Sequence, residues 1–191
     1  DAAAAPLLCA GAVGYRSLML ANVSDGQALG FAGFGASAHL VLQLAQVLYP
    51  HSNFFVFSRS PQECEFALEL GAHWAGSFAD TPPAPLDRFI DTTPAWQPVL
   101  TSLTHLAPGG RLVINAIRKE SQDRSLLIEL DYASQLWHEK EIKSVANVTR
   151  ADVRRFLELA ASIPILPEVQ EYPLEAANIA ILELKARQIR G

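Results

Sequence analysis

The 191-residue sequence is short of several residue types, and each shortage removes a class of function. Only two cysteines occur, Cys9 and Cys64. Two thiols so far apart in a chain of this length point to reduced cysteines rather than a disulfide framework. Basic residues are outnumbered, 15 Lys and Arg against 20 Asp and Glu for a net charge of -5. They form no basic run and no aromatic-interleaved patch that could track a phosphate backbone, so nucleic acid is not an expected partner. No apolar run reaches membrane-spanning length, and the opening AAAAPLLCAGAVG lacks the basic start of a signal peptide. A soluble, cytoplasmic chain with no membrane partner is expected. The five histidines show no metal-ligand spacing such as H-E-x-x-H. There is no internal repeat, and the initial alanines are the only low-complexity stretch.

Hydrophobic residues, in contrast, make up 50% of the chain, enough for one substantial core. The most informative stretch is 28–48, ALGFAGFGASAHLVLQLAQVL. An apolar run at 28–32 meets the turn Gly33-Phe34-Gly35-Ala36-Ser37-Ala38, and an amphipathic run follows. Gly33, Gly35 and Ala38 give G-x-G-x-x-A. The first glycine permits a tight turn, the second lets backbone approach a pyrophosphate, and the small third residue lets helix and strand pack closely. Unpaired N–H groups at the helix start would receive the anion. The motif alone is compatible with a mere strand-to-helix turn, so its context has to decide.

That context is an alternation of strands and helices. FFVFS at 54–58 reads as a second strand, and Ser60-Pro61-Gln62-Glu63 reads as a capping box opening a helix that ends at Gly71. Short strands follow at 72–76 and 86–92, then a helix at 95–106, a fifth strand at 111–117 and a sixth within EIKSVANV at 141–148. Before them, residues 1–22 read as a helix closed by Ser24-Asp25-Gly26. After them, Thr149 opens a helix to about Ser162, PILPEVQEYPL is extended, and LEAANIAILELKARQ is helical. Alternation of this kind implies a parallel sheet with helices on both faces. Trp74, Trp96 and Trp137 are expected in the core or at an interface.

In order and in detail the chain resembles the coenzyme-binding half of the medium-chain, zinc-dependent alcohol dehydrogenase family. The resemblance is carried by APLLCAG with the following Tyr15-Arg16, the glycine turn, ELGA at 69–72, LAPGGRLV at 106–113, WHEKEIKSVANVTR at 137–150, and YPLEAAN with the closing LKARQIRG. It implies a Rossmann-type, doubly wound, six-stranded parallel sheet in three layers, with a remnant of the catalytic domain at the C-terminus. It also implies reversible oxidation of an alcohol to an aldehyde or ketone, with hydride passing to a nicotinamide cofactor. The division expected is a hinge at 1–10, a NAD(P)-binding domain at 11–146 and a returning segment at 147–191. The family's N-terminal catalytic domain is expected to be absent. Apolar surface is therefore expected to be exposed at 1–10 and 147–191.

Cys9, in LLCAG, falls on the family's remaining cysteine ligand for the catalytic zinc, a metal that polarises the substrate oxygen. Read without the resemblance it is a buried apolar thiol. One cysteine cannot hold zinc, so zinc belongs to the full-length enzyme, and this chain alone is expected to be metal-free and inactive. At the end of the second strand, an acidic residue would bond the adenosine ribose and repel a 2′-phosphate. Ser58 and Arg59 stand there instead, which favours NADP, with NAD as the alternative. Arg59 read plainly is a solvated loop charge. Thr92, Thr93 and Pro94 end the fourth strand, and Asn115, Ala116 and Ile117 end the fifth, on the sheet edge that faces a coenzyme. Arg190 matches a basic residue that the family sets on the pyrophosphate, and Val13 replaces the family's usual Thr. A homodimer or tetramer is implied. The alternatives are a zinc-free quinone reductase of the same superfamily and a methyltransferase using S-adenosylmethionine.

Overall fold

The computed structural model describes residues 2–186 and 188–190. Asp1 and Gly191, the outer ends of the expected division, lie outside the described residues, as does Arg187 of the closing motif.

Six strands form one parallel sheet: β1 (Ala28–Ala32), β2 (Asn53–Phe57), β3 (Trp74–Gly76), β4 (Leu86–Asp91), β5 (Leu106–Ile114) and β6 (Glu141–Ser144). Their order is β3-β2-β1-β4-β5-β6, and every neighbouring pair is parallel. The chain runs outward from β1 to β3, then crosses back to lay β4 against the other side of β1. Between β1 and β4 the direction of winding reverses, and beyond the strand ends there a crevice opens.

Continuous apolar runs build the central strands because both of their faces are covered. Successive side chains point to opposite faces, so Phe54 and Val56 enter one core while Phe55 and Phe57 enter the other. Ile90 and Val113 join the first, Phe89 and Leu112 the second. The first core is closed by the helices α1 (Ala12–Ala21), α2 (Ala36–Leu48), α3 (Pro61–Glu69) and α5 (Arg150–Ser162), and the second by α4 (Gln97–His105). Each Phe so enclosed contributes about 1.5–3 kcal/mol by leaving water.

Several boundaries differ from the sequence reading, each for a local reason. The first helix is a single π turn, Leu7–Gly11, continued by α1, and it ends at Asn22 in the left-handed conformation. That ending satisfies its last carbonyls before Ser24 is reached. β5 starts at Leu106 rather than at residue 111. It absorbs Pro108-Gly109-Gly110 through a register shift against β4. Between β5 and β6 lies a π turn, Tyr132–Leu136. Trp74 and Trp96 pack against the second core, whereas Trp137 is largely exposed.

The stretch after β6 splits in two. Thr149 and Asp152 cap α5 reciprocally, and Phe156 is fully buried against Tyr15, ring centroids 5.9 Å apart. Burial pushes the Asp152 carboxyl up, but hydrogen bonds from Thr149 and the nearby Arg16 outweigh it and hold the group low. Further on, α6 (Ala177–Lys185) buries nothing, and its Ile181 and Leu182 are 63% and 64% exposed. No helix among the described residues is long and apolar enough to cross a membrane.

Candidate functional site

A cleft of about 980 Å³ lies over the carboxyl ends of the strands. Its floor begins at Gly33, whose N–H donates to the Phe57 carbonyl at 2.8 Å. Gly33 has φ +81°, and a Cβ there would come within 3.0 Å of Thr93 Cγ2 and 3.1 Å of Thr92 Oγ1. Turn and β4 are thus pressed together where only glycine fits. Gly35 is different. Its backbone is extended, φ -104° and ψ -157°, no side chain caps the α2 start it occupies, and a Cβ would meet nothing within 4 Å. The space beside it is open cleft. With Phe34, Ala36 and Ser37 also lining the cleft, the N-terminus of α2 is presented as an anion seat. Ala38 does not line it; its methyl is buried between helix and sheet, as close packing at the third motif position requires.

The far wall comes from β4 and β5. Thr92, Thr93, Pro94, Asn115, Ala116 and Ile117 all border the cleft. They are held from behind by Asp91, which is fully buried. Asp91 Oδ1 accepts from the Thr93 N–H at 2.9 Å and hydroxyl at 2.7 Å, and Oδ2 pairs with Lys119, itself 9% exposed. Lys119 also donates to the carbonyls of Thr93 and Ala95, at 2.8 and 2.9 Å. Burial pushes the Asp91 carboxyl up, and the Lys119 ammonium pulls against it. Four residues after Lys119, Asp123 accepts from the N–H groups of Trp96 and Gln97 and so caps α4. The loops after β4 and β5 are therefore fastened to each other.

At the end of β2, Ser58 is buried and Arg59 exposed, and both line the cleft. The expected capping box is only half made. The Ser60 hydroxyl accepts from the Glu63 N–H at 3.3 Å, but the Glu63 carboxylate does not reach back to the cap. It turns into the cleft instead, where Oε2 accepts from the Ser58 hydroxyl at 2.5 Å and from the Phe34 N–H at 3.3 Å. A better acceptor geometry beside the glycine turn has displaced the reciprocal cap. Beneath the same turn, His39 is buried with Nδ1 3.2 Å from the Gly35 carbonyl and Nε2 3.4 Å from the Glu168 N–H. The ring therefore donates at Nδ1 and accepts at Nε2. Burial lowers its proton affinity, while the Gly35 carbonyl raises it.

Cys9 is exposed and lines the same cleft with Leu8 and Val13. Its surroundings answer the buried-thiol reading: it is not in the core. Among the described residues no group of three or more His, Cys, Asp or Glu side chains is placed to hold a metal ion. Arg190 lies away from the cleft, paired with Glu69 and set over the Phe66 ring at 4.2 Å to the centroid. A guanidinium finds both charge and an aromatic face on α3, and these hold it there.

Three parts of the site went unread in the sequence. Residues 144–148 after β6 line the cleft, and the rule that flagged the ends of β4 and β5 applies to them equally. Phe78 was hidden in a loop without pattern. Lys119 gave no signal, since one lysine in a polar stretch looks solvated.

No protein-family model matches the chain. Its homologues are alcohol dehydrogenases. The probable alcohol dehydrogenase AdhA of Mycobacterium tuberculosis (strain CDC 1551 / Oshkosh) is 40% identical over 191 residues, all of this chain and 53% of that protein. Among solved structures, a cinnamyl alcohol dehydrogenase from Sorghum bicolor has TM-score 0.83 and 25% identity, covering 99% of this chain and 53% of its own. CAD from Helicobacter pylori, complexed with NADP(H), has TM-score 0.77 and 21% identity, covering 97% and 52%. The chain spans about half the length of the relatives it matches.

Proposed function

We propose that this chain, whose homologues along its whole length are alcohol dehydrogenases, is the nicotinamide-dinucleotide-binding part of a zinc-dependent alcohol dehydrogenase of the medium-chain family. The observation that carries the reading is the open, uncapped start of α2 at Gly35 within a cleft of about 980 Å³ at the point where the sheet reverses. In it, Gly33 to Ser37 seat the pyrophosphate, and Ser58 with Arg59 border the adenosine ribose. Residues 92–94 and 115–117, fixed by the Asp91–Lys119 pair, support the nicotinamide ring. A bound nicotinamide supplies the hydride acceptor or donor for interconverting an alcohol and an aldehyde or ketone. The protein's part in this half is to bind and orient that ring.

The coenzyme is NADP, with NAD as the alternative. Ser58 removes the usual charge at the end of β2, and Arg59, exposed and unpaired among the described residues, offers a bidentate phosphate partner. Cys9 on the cleft rim favours zinc chemistry over the zinc-free quinone reductases. Its co-ligands are supplied from outside these 191 residues, so the isolated chain binds dinucleotide without turning over alcohol. Copies pair through the free edge of β6, whose four residues are all exposed, and light scattering reads that state directly. Calorimetric titration tests the coenzyme reading. NADP or NAD binding at 1:1, with no heat from S-adenosylmethionine, supports it; binding of S-adenosylmethionine alone overturns it.

A further inference from the structure

The cleft holds an anion at the place where a phosphate is proposed to sit. Glu63, on the first turn of α3, borders the same wall as Ser58, Arg59 and Phe34. The Ser58 hydroxyl has one proton, and it is given to Glu63 Oε2 at 2.5 Å, while its oxygen accepts from the Ser60 N–H at 3.1 Å. Ser58 has no donor left to offer a phosphate as long as that contact stands. Oε2 also takes the Phe34 N–H of the glycine turn. Among the described residues Oε1 accepts no hydrogen bond, and it keeps its acceptor capacity for an incoming hydroxyl. Arg59 is exposed and has no hydrogen-bond or ion-pair partner among the described residues. The seat at the end of β2 therefore contains one cation on its rim and one carboxylate on its wall.

We infer that Glu63 is a specificity-determining residue: reaching in from α3, it supplies the ribose-reading carboxylate that β2 has lost, and so opposes the 2′-phosphate that Arg59 attracts. The inference rests on the dinucleotide reading above and deepens it. A ribose 2′-hydroxyl donates to the carboxylate as a diol partner does. A 2′-phosphate meets like charge in a half-buried wall, and Glu63 must turn out before Ser58 can donate to it. The protein consequently accepts both coenzymes, its preference for NADP held down by one side chain.

The test is parallel titration of the full chain with NADP and NAD, for wild type and Glu63→Gln. The substitution keeps the side-chain shape and removes the charge. NADP should tighten by about tenfold or more, while NAD stays level or weakens. Glu63→Lys, at the same half-exposed position, should move the ratio further the same way and serves if the first variant melts early. Equal change in both affinities, or none, in a wild type that binds dinucleotide overturns the role of Glu63 and leaves the coenzyme reading standing. A wild type that binds neither coenzyme overturns both.

Discussion

Two parts of the cleft wall are made in different ways. Around the glycine turn, polar groups are fixed by other polar groups: Thr93 by Asp91, Asp91 by Lys119, Ser58 by Glu63, Gly35 by His39. Around Cys9, an exposed thiol stands on a single π turn, joined to the turn region by the Ser37 hydroxyl donating to the Ala10 carbonyl at 3.0 Å. The difference follows from what each part can contribute unaided. An anion is held by backbone N–H groups and a helix start, which the fold itself aligns. A metal needs several converging side chains, and no group of three or more His, Cys, Asp or Glu placed to hold one stands among the described residues.

The strongest way to break this contrast is Lys119→Met. It leaves Asp91 buried without its counter-charge and should cost about 3–5 kcal/mol in urea unfolding. A loss near zero would mean that the wall after β4 is not held by that pair. Next comes Gly33→Ala, which meets Thr92 and Thr93 and a left-handed backbone at once. A cost of about 1–3 kcal/mol and loss of dinucleotide binding are expected together. Gly35→Ala sharpens the comparison by separating the two effects. Stability should change by about 1 kcal/mol or less, since the space is open, while calorimetry should show dinucleotide affinity reduced.

A smaller effect is expected at His39. Burial holds its folded proton affinity below the ordinary imidazole value, so the unfolded chain takes up the proton first. The stability linked to its neutral form is present above about pH 6.5 and drains away as pH falls below that. Melting curves should therefore fall less steeply with acid in His39→Gln than in wild type; identical slopes would remove His39 as the cause. Smallest of all is Cys9→Ser, an exposed change with no partner to lose. Stability should stay within about 0.5 kcal/mol, and a larger loss would show the wall around Cys9 to be more firmly built than its contacts suggest.

Much of the fold was legible because its signals are local. ALGFA and FFVF are apolar at every position, as strands covered on both faces must be, and Gly33 and Gly35 mark the turn between strand and helix. The strand-to-helix turn could be read from that spacing, and the order of strands and helices around it gave the spacing its context. What escaped the sequence depends on long-range partners. The pairing of Asp91 with Lys119 joins residues 28 apart in sequence, and no periodicity announces it. Glu63 was legible as a helix-cap residue, a role that its backbone N–H keeps while its carboxylate takes another. Arg190 matched a motif by position, yet Glu69 and Phe66 on α3 decide where its guanidinium lies.

Gly33 and Gly35 also differ in what mutational drift would do to them. Selection for a folded chain is enough to keep glycine at position 33, where any side chain collides with its neighbours. At position 35 it is not, because a methyl group would project into empty cleft at little structural cost. A lineage that had stopped using the cleft could lose the second glycine silently and keep the same sheet. Packing alone therefore does not require glycine at position 35, whereas at position 33 it does.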